Sequence, residues 1–340
     1  MSCGGVEGSQ GSYPRRVDTL IIGGGQAGLA TAYYLLRAGI DTLVLDDQSA
    51  PGGAWRHVWP SLRLFSPAEF SNLPGWPMPS YPDYPPAAHV VEYLAAYEKR
   101  YHIPVLRPVS VSLVEYRDNG FLVHAGSRSW WAQYVVAATG TFAAPFVPYY
   151  PGVFRGTQWH SATYPGVAPF AGTRVAVVGG ANSAAQIAAE LSERAHVSWY
   201  TQSPPRWMPD EVDGRVLFRR NRDRALAIAR GEEDPGADSS LGDIVALPVV
   251  RSARDTGALR PQSMFSSLSD VSADHLIWCT GFRPALRPIR HLLKDGTPRF
   301  SGLHLVGYGD WVGPGAATLA GVGLYAKRAA QAIVEAKNRS

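Results

Sequence analysis

Apolar positions in this chain follow two periods, and their order repeats. Val17 to Ile22 is a short apolar run, as expected of a strand covered on both faces. Gly23-Gly24-Gly25 follows as a turn. From Gln26 to Ala38, Leu29, Ala32, Tyr33 and Leu36 recur at helical spacing. Gly39 ends that helix, where a left-handed cap suits glycine. Thr42 to Leu45 is a second buried strand. Arg174 to Thr201 repeats the pattern, with a strand over 174–178, a helix over 182–194 and a strand over 197–200. Two strand–helix–strand units predict an α/β fold of two doubly wound domains. Around them, His89 to Tyr101 reads as a helix. Val109–Val114, Phe121–His124, Tyr134–Ala138, His275–Cys279 and Leu303–Val306 read as strands, and Ala316 to Lys337 as a long terminal helix. Residues 51–86 hold nine prolines and three tryptophans (Trp55, Trp59, Trp76), which predicts extended loops. Residues 205–270 are polar, Arg-rich and without a clear period.

Composition narrows the functional classes. The chain has 340 residues, 46% apolar and 18% charged, so it is globular. Its two cysteines, Cys3 and Cys279, exclude a disulfide scaffold, a Cys-rich zinc site and any CxxC redox pair; no metal site is expected. Sparse free cysteine fits a reducing cytoplasm. No apolar stretch is long enough to span a membrane, and the N-terminus does not read as a signal peptide. Residues 1–14 are expected to form a flexible tail. The net charge of +4 suits anionic cofactors. The basic stretch from Arg215 to Arg230 lacks interleaved aromatics, so nucleic acid is not expected as a partner.

The chemistry begins at Gly23-x-Gly25-x-x-Gly28, which follows a strand and opens a helix. In that context the first glycine turns the chain and the second lets a pyrophosphate approach. The third lets helix and strand pack, and the helix N-terminus faces the phosphates. Asp46, ending the next strand, is placed to accept from a ribose. The second unit reads Gly179-Gly180-Ala181-Asn182-Ser183-Ala184, with alanine at the middle and last glycine positions. No acid ends its second strand, where Thr201 and Gln202 stand, and this absence permits NADP. Gln202 and Arg206 are candidate contacts. Two dinucleotide sites, one for FAD and one for a nicotinamide, let hydride pass between cofactors. Thr139-Gly140 and Thr280-Gly281 each follow a strand as crossover turns near the cofactors. Gly309-Asp310 precedes a Gly-rich helix start, where Asp310 is placed for a ribityl hydroxyl.

The segment Phe154-x-Gly156-x-x-x-His160-x-x-x-Tyr164 resembles the FxGxxxHxxx(F/Y) signature of the flavin-containing monooxygenases, and Gly52-Gly53-Ala54-Trp55 resembles their GGxW segment. The resemblance runs from about Val17 to Lys337. Residues 59–67, 73–79 and 277–284 are similar to the short bacterial ArsO-type group of arsenic-resistance operons. The resemblance implies two Rossmann-like domains of the glutathione/thioredoxin-reductase kind. The FAD domain, 15–153 and 282–340, is discontinuous, and the NAD(P)H domain, 154–281, is inserted. Gly23, Gly25, Gln26, Ala27 and Gly28 would then surround the FAD pyrophosphate, with Asp46 at the adenosine ribose. Gly53 and Trp55 would lie along the FAD, with Arg63 and Ser66 beside the flavin. Val111 would meet the adenine and Asp310 the ribityl chain. Gly179, Asn182, Ser183, Gln202 and Thr280 would hold NADPH, with NADH left open.

The implied activity is oxygenation of a soft arsenical, sulfur or nitrogen nucleophile by O2 through a C4a-hydroperoxyflavin. A packed linker histidine accounts for His160 as well as a catalytic role does. An NAD(P)H:acceptor reductase and a non-catalytic nucleotide sensor stay open as alternatives, as does a homodimer through the terminal helix. Four features depart from the family: the degenerate second loop, Gln202 where many relatives carry arginine, Ser66-Pro67 in place of an active-site asparagine, and a short 263–275 segment. Trp55, Trp59, Phe65 and Trp76 are expected to wall a water-excluding site between the two halves.

Overall fold

A computed structural model describes residues 14–236 and 241–339. The tail expected over residues 1–14 therefore lies almost wholly outside the described residues. From the N-terminus come β1 (Arg15–Ile22), α1 (Gln26–Arg37), β2 (Thr42–Leu45), α2 (Ala87–Arg100), β3 (Val105–Leu106), β4 (Leu113–Arg117), β5 (Gly120–Ala125) and β6 (Arg128–Ala137). The second part holds β7 (Thr157–His160), β8 (Arg174–Val178), α3 (Asn182–Ser192), β9 (His196–Thr201), α4 (Gly214–Ala229), α5 (Pro248–Asp255), β10 (Pro261–Ser263) and β11 (His275–Trp278). The chain ends with β12 (Leu293–Lys294), β13 (Thr297–Pro298), β14 (Leu303–Leu305) and α6 (Val322–Arg339).

The first sheet runs β3-β2-β1-β6, all parallel. Beyond β6 its edge is shared. Antiparallel β5 pairs with the N-terminal half of β6 and carries antiparallel β4 on its far side, and parallel β14 pairs with residues 135–137. The second sheet, β10-β9-β8-β11-β7, is parallel throughout. Between the two sheets' strands the chain leaves the first sheet after β6 and returns to it only at β14. Side-chain alternation explains the apolar runs. Ile21 enters one core with α1, α2 and α6, while Leu20 and Ile22 enter another on the opposite face. Both faces are covered, so both must be apolar.

The bounds of several elements differ from the sequence reading: β6 begins at Arg128, six residues before the strand expected at Tyr134–Ala138, and β3 and β7 had no counterpart in it. The strand expected at Val109–Val114 begins only at Leu113, because the chain first turns to the end of β2, where the Val109 N–H donates to the Asp46 carbonyl at 2.7 Å. The terminal helix starts at Val322 rather than Ala316. Gly315 holds φ +70°, and a Cβ on Gly321 would lie 2.3 Å from the Gly315 oxygen, so residues 315–321 turn before the helix begins. The Arg-rich stretch is α4, a sixteen-residue helix.

Candidate active site

At the end of β1, Gly23 takes φ +109°, and a Cβ there would lie 2.4 Å from the Ala138 carbonyl oxygen. A Cβ on Gly28 would lie 1.9 Å from the Gly23 oxygen. Packing alone demands both glycines. A Cβ on Gly25 would meet nothing within 4 Å, so the middle position opens onto free space at the start of α1. Gly25 caps that helix without a side-chain hydrogen bond, which leaves its first N–H groups for an anion. Three other segments converge here. A Cβ on Gly53 would lie 2.9 Å from Gly25 Cα, and one on Gly307 would lie 2.6 Å from Ala27 Cβ. Trp55 Nε1 donates to Gln26 Oε1 at 2.9 Å, and Gln26 Nε2 donates to the Ala317 carbonyl at 2.6 Å.

Asp46 is buried where β2 ends. Its Oδ2 accepts from Arg107 Nε at 2.6 Å, and the same guanidinium donates to both Glu98 oxygens at 2.7 and 2.8 Å. Asp46 Oδ1 has no partner among the described residues. Gly24 lies against this triad, since a Cβ there would sit 2.7 Å from Asp46 Oδ2. Val111, half-buried, follows the segment bonded to the Asp46 carbonyl. Thr139 Oγ1 donates to the Ala285 carbonyl at 2.7 Å and accepts from the Tyr308 hydroxyl, also at 2.7 Å. Burial pushes the Tyr308 phenol up to about 12. Gly140 and Gly309 turn with positive φ on either side of this contact, and Asp310 is exposed beyond it.

The second loop mirrors the first. A Cβ on Gly179, at φ +145°, would lie 2.4 Å from the Cys279 carbonyl. Ala184 is buried and Ala181 exposed. The polar residues expected to meet the nicotinamide cofactor mostly have partners within the chain. Asn182 Oδ1 accepts from the Val245 N–H at 2.8 Å, Thr280 Oγ1 donates to the Phe146 carbonyl at 2.5 Å, and Arg206 makes a two-point pair with Asp243. Ser183 is half-buried and Gln202 exposed.

His160 closes β7. Its Nδ1 accepts from the Ala162 N–H at 3.1 Å, so Nε2 carries the proton and donates to the Gly281 carbonyl at 3.1 Å. Burial lowers its pKa, although contacts with backbone carbonyls oppose this. The ring is a neutral clasp between β7 and the turn after β11.

A cavity of about 740 Å³ lies between the 64–74 loop, α4 and residues 314–327. Trp55, Phe65 and Ser66 line it, and Ser66 Oγ is 2.9 Å from Ser71 Oγ. Trp59, Trp76 and Arg63 do not. Trp59 is buried in the second core, 6.5 Å from the Tyr164 ring, and Trp76 packs at 5.3 Å on Tyr93. Arg63 is exposed and donates to the Tyr84 carbonyl at 3.0 Å. The expected four-aromatic wall is therefore half right: Trp59 and Trp76 hold the loops down from behind. The missing wall is α4, through Leu217, Phe218 and Leu226, with Leu319 opposite. Its N-cap was legible, because Asp213 precedes Gly214 and accepts from the Arg215 N–H at 2.9 Å. Asn72 also lines the cavity, but its amide is spent on the Glu69 carbonyl and Met78 N–H. Among the described residues there is no cluster able to hold a metal and no helix long and apolar enough to cross a membrane.

A family profile described as pyridine nucleotide-disulphide oxidoreductase matches residues 20–217, more than half of the chain. A flavin-containing monooxygenase of Stenotrophomonas maltophilia is 40% identical, with a TM-score of 0.84, covering 95% of this chain and 99% of that one. An uncharacterized oxidoreductase CzcO-like of Geobacillus kaustophilus is 30% identical over 281 residues, 78% of this chain and 80% of that protein. Indole-3-pyruvate monooxygenase YUCCA1 of Oryza sativa is 32% identical over 210 residues, 58% of this chain and 51% of that one. With two Rossmann-like units, an open glycine loop and these relatives, the chain belongs to the flavin-containing monooxygenase family and is an FAD-dependent oxidoreductase.

Proposed function

We propose that this enzyme uses NADPH and O2 to oxygenate a small soft nucleophile, an arsenical, sulfide or amine, inside the 740 Å³ cavity. One observation carries the reading. The Gln26 side chain joins the glycine loop, Trp55 and the Ala317 carbonyl, and both Trp55 and Ala317 line the cavity. A dinucleotide anchored at Gly25 thus leads toward an apolar chamber.

The residues present fit FAD: open space over Gly25, uncapped N–H groups at α1, and a buried carboxylate with one oxygen unpaired. When bound, FAD supplies hydride acceptance and oxygen activation. The chain's part is to bind and exclude water. The N–H groups of α1 would hold the pyrophosphate, Asp46 Oδ1 would accept from the ribose, and Trp55 and Gln26 would keep the loop in place. The apolar walls would keep water from the reacting group. A dithiol route is disfavoured: the Cys279 thiol is buried, and desolvation raises its pKa far above the ordinary range.

Rapid mixing of the NADPH-reduced holoenzyme with oxygenated buffer tests this. We expect a transient flavin absorbance distinct from the oxidised and reduced spectra, followed by sulfoxide when methyl phenyl sulfide is present. Direct reoxidation with no transient and no oxygenated product overturns the reading in favour of an acceptor reductase.

A further inference from the structure

We infer that the cavity selects a substrate with an apolar body and a single anionic group, the anion held at the mouth by Arg222 and Lys327. This rests on the oxygenase reading above and adds the substrate's charge to it.

The walls are mostly apolar, from Phe65 and Leu73 on the loops to Leu217 and Leu226 on α4 and Leu319 opposite. Among the described residues, Arg222 and Lys327 are the only charged side chains in the lining, and no carboxylate lines the space. They come from different elements, α4 and α6, and both are exposed. Their neighbours are engaged elsewhere. Arg215 pairs with Asp213 and Arg224 with Asp234. Arg219 lies over the Phe70 ring, and Arg328 donates to the Ala225 carbonyl. Arg222 and Lys327 form no ion pair among the described residues. Two unpaired cations beside an apolar chamber favour a ligand that carries its own anion and disfavour a cationic amine by like-charge repulsion. Their long alkyl stems let them border apolar surface while the charged heads stay in water.

The experiment compares methyl phenyl sulfide, 4-(methylthio)benzoate and 4-(methylthio)benzylamine as substrates of the FAD-loaded protein. Calorimetric titration with 4-methoxybenzoate and anisole runs beside it and needs no turnover. The carboxylate should show the highest kcat/KM and the amine the lowest. Arg222→Gln and Lys327→Gln should each lower the carboxylate-to-neutral ratio about 5-fold, in line with one partly exposed charge contact. The preference should also weaken at high salt. The inference is overturned if 4-methoxybenzoate binds no better than anisole, or if the ratio survives both substitutions. A loss confined to KM for NADPH also overturns it, since the cations would then serve the coenzyme. If none of the sulfides is oxygenated while 4-methoxybenzoate still binds through both cations, the oxygenase reading fails and the anion site stands.

Discussion

An added Cβ at Gly28 would lie 1.9 Å from the Gly23 carbonyl oxygen, whereas one at Gly25 would meet nothing within 4 Å. The two glycines therefore answer to different constraints, and the same substitution separates them. Gly28→Ala should lower the unfolding free energy of the flavin-free protein by about 2–3 kcal/mol, as overpacking does. Gly25→Ala should leave it within about 0.5 kcal/mol and lose bound flavin. Urea unfolding and the flavin-to-protein absorbance ratio check the pair, and a Gly25→Ala protein with full flavin would refute the assignment. At this scale the sequence was readable wherever the backbone sets the demand. Gly23, Gly25, Gly28, Gly179 and Asp46 fall in a local strand–turn–helix pattern. Arg107 was not readable, because its pairing with Asp46 spans sixty-one residues of chain. Gly24 formally fills a free position of the motif, yet that triad leaves it no room for a side chain.

At the scale of elements, α4 is the piece that finishes the chamber. Five arginines dilute its apolar stripe, so the helical period does not stand out. Its start is held by Asp213, which accepts from the Arg215 N–H at 2.9 Å and from Arg215 Nε at 2.7 Å. The next residue, Gly214, lies so close to the 64–74 loop that a Cβ would sit 2.4 Å from Ser66 Cβ. Asp213→Ala should remove about 1–2 kcal/mol of local stability, as lost N-caps do. Amide exchange across residues 214–229 should quicken, and more hydrogen peroxide should form per NADPH consumed, because water reaches the site. Unchanged exchange over that span would count against the capping role. Where an element's pattern was local, its bounds were legible: β2 and β8 fall where their apolar runs stand. The turns before α6 were not, since Gly315 and Gly321 break what composition alone suggests is helix.

Across the whole molecule, β14 closes the first sheet after the chain has built the second. It carries His304, whose Nε2 is buried with no hydrogen-bond partner and whose pKa burial lowers to about 4. As pH falls through about 6.5, the unfolded histidine takes a proton and the folded one does not. Stability is therefore lost from there down to about pH 4, by about 3 kcal/mol in all. His304→Met should lack this loss, so the stability gap between the two proteins should shift toward the variant by that amount between pH 7 and 4. A gap that stays constant with pH would show that His304 does not titrate this way. The sequence by itself determined the two strand–turn–helix units, the glycine geometry at their heads and the absence of a dithiol, because each depends on residues close in the chain or on composition. Only the tertiary structure decided which aromatics face the chamber, that an arginine-rich helix packs against the 64–74 loop to wall it, and which two cations line it. Those outcomes depend on contacts between segments far apart in the chain, and no local period records them.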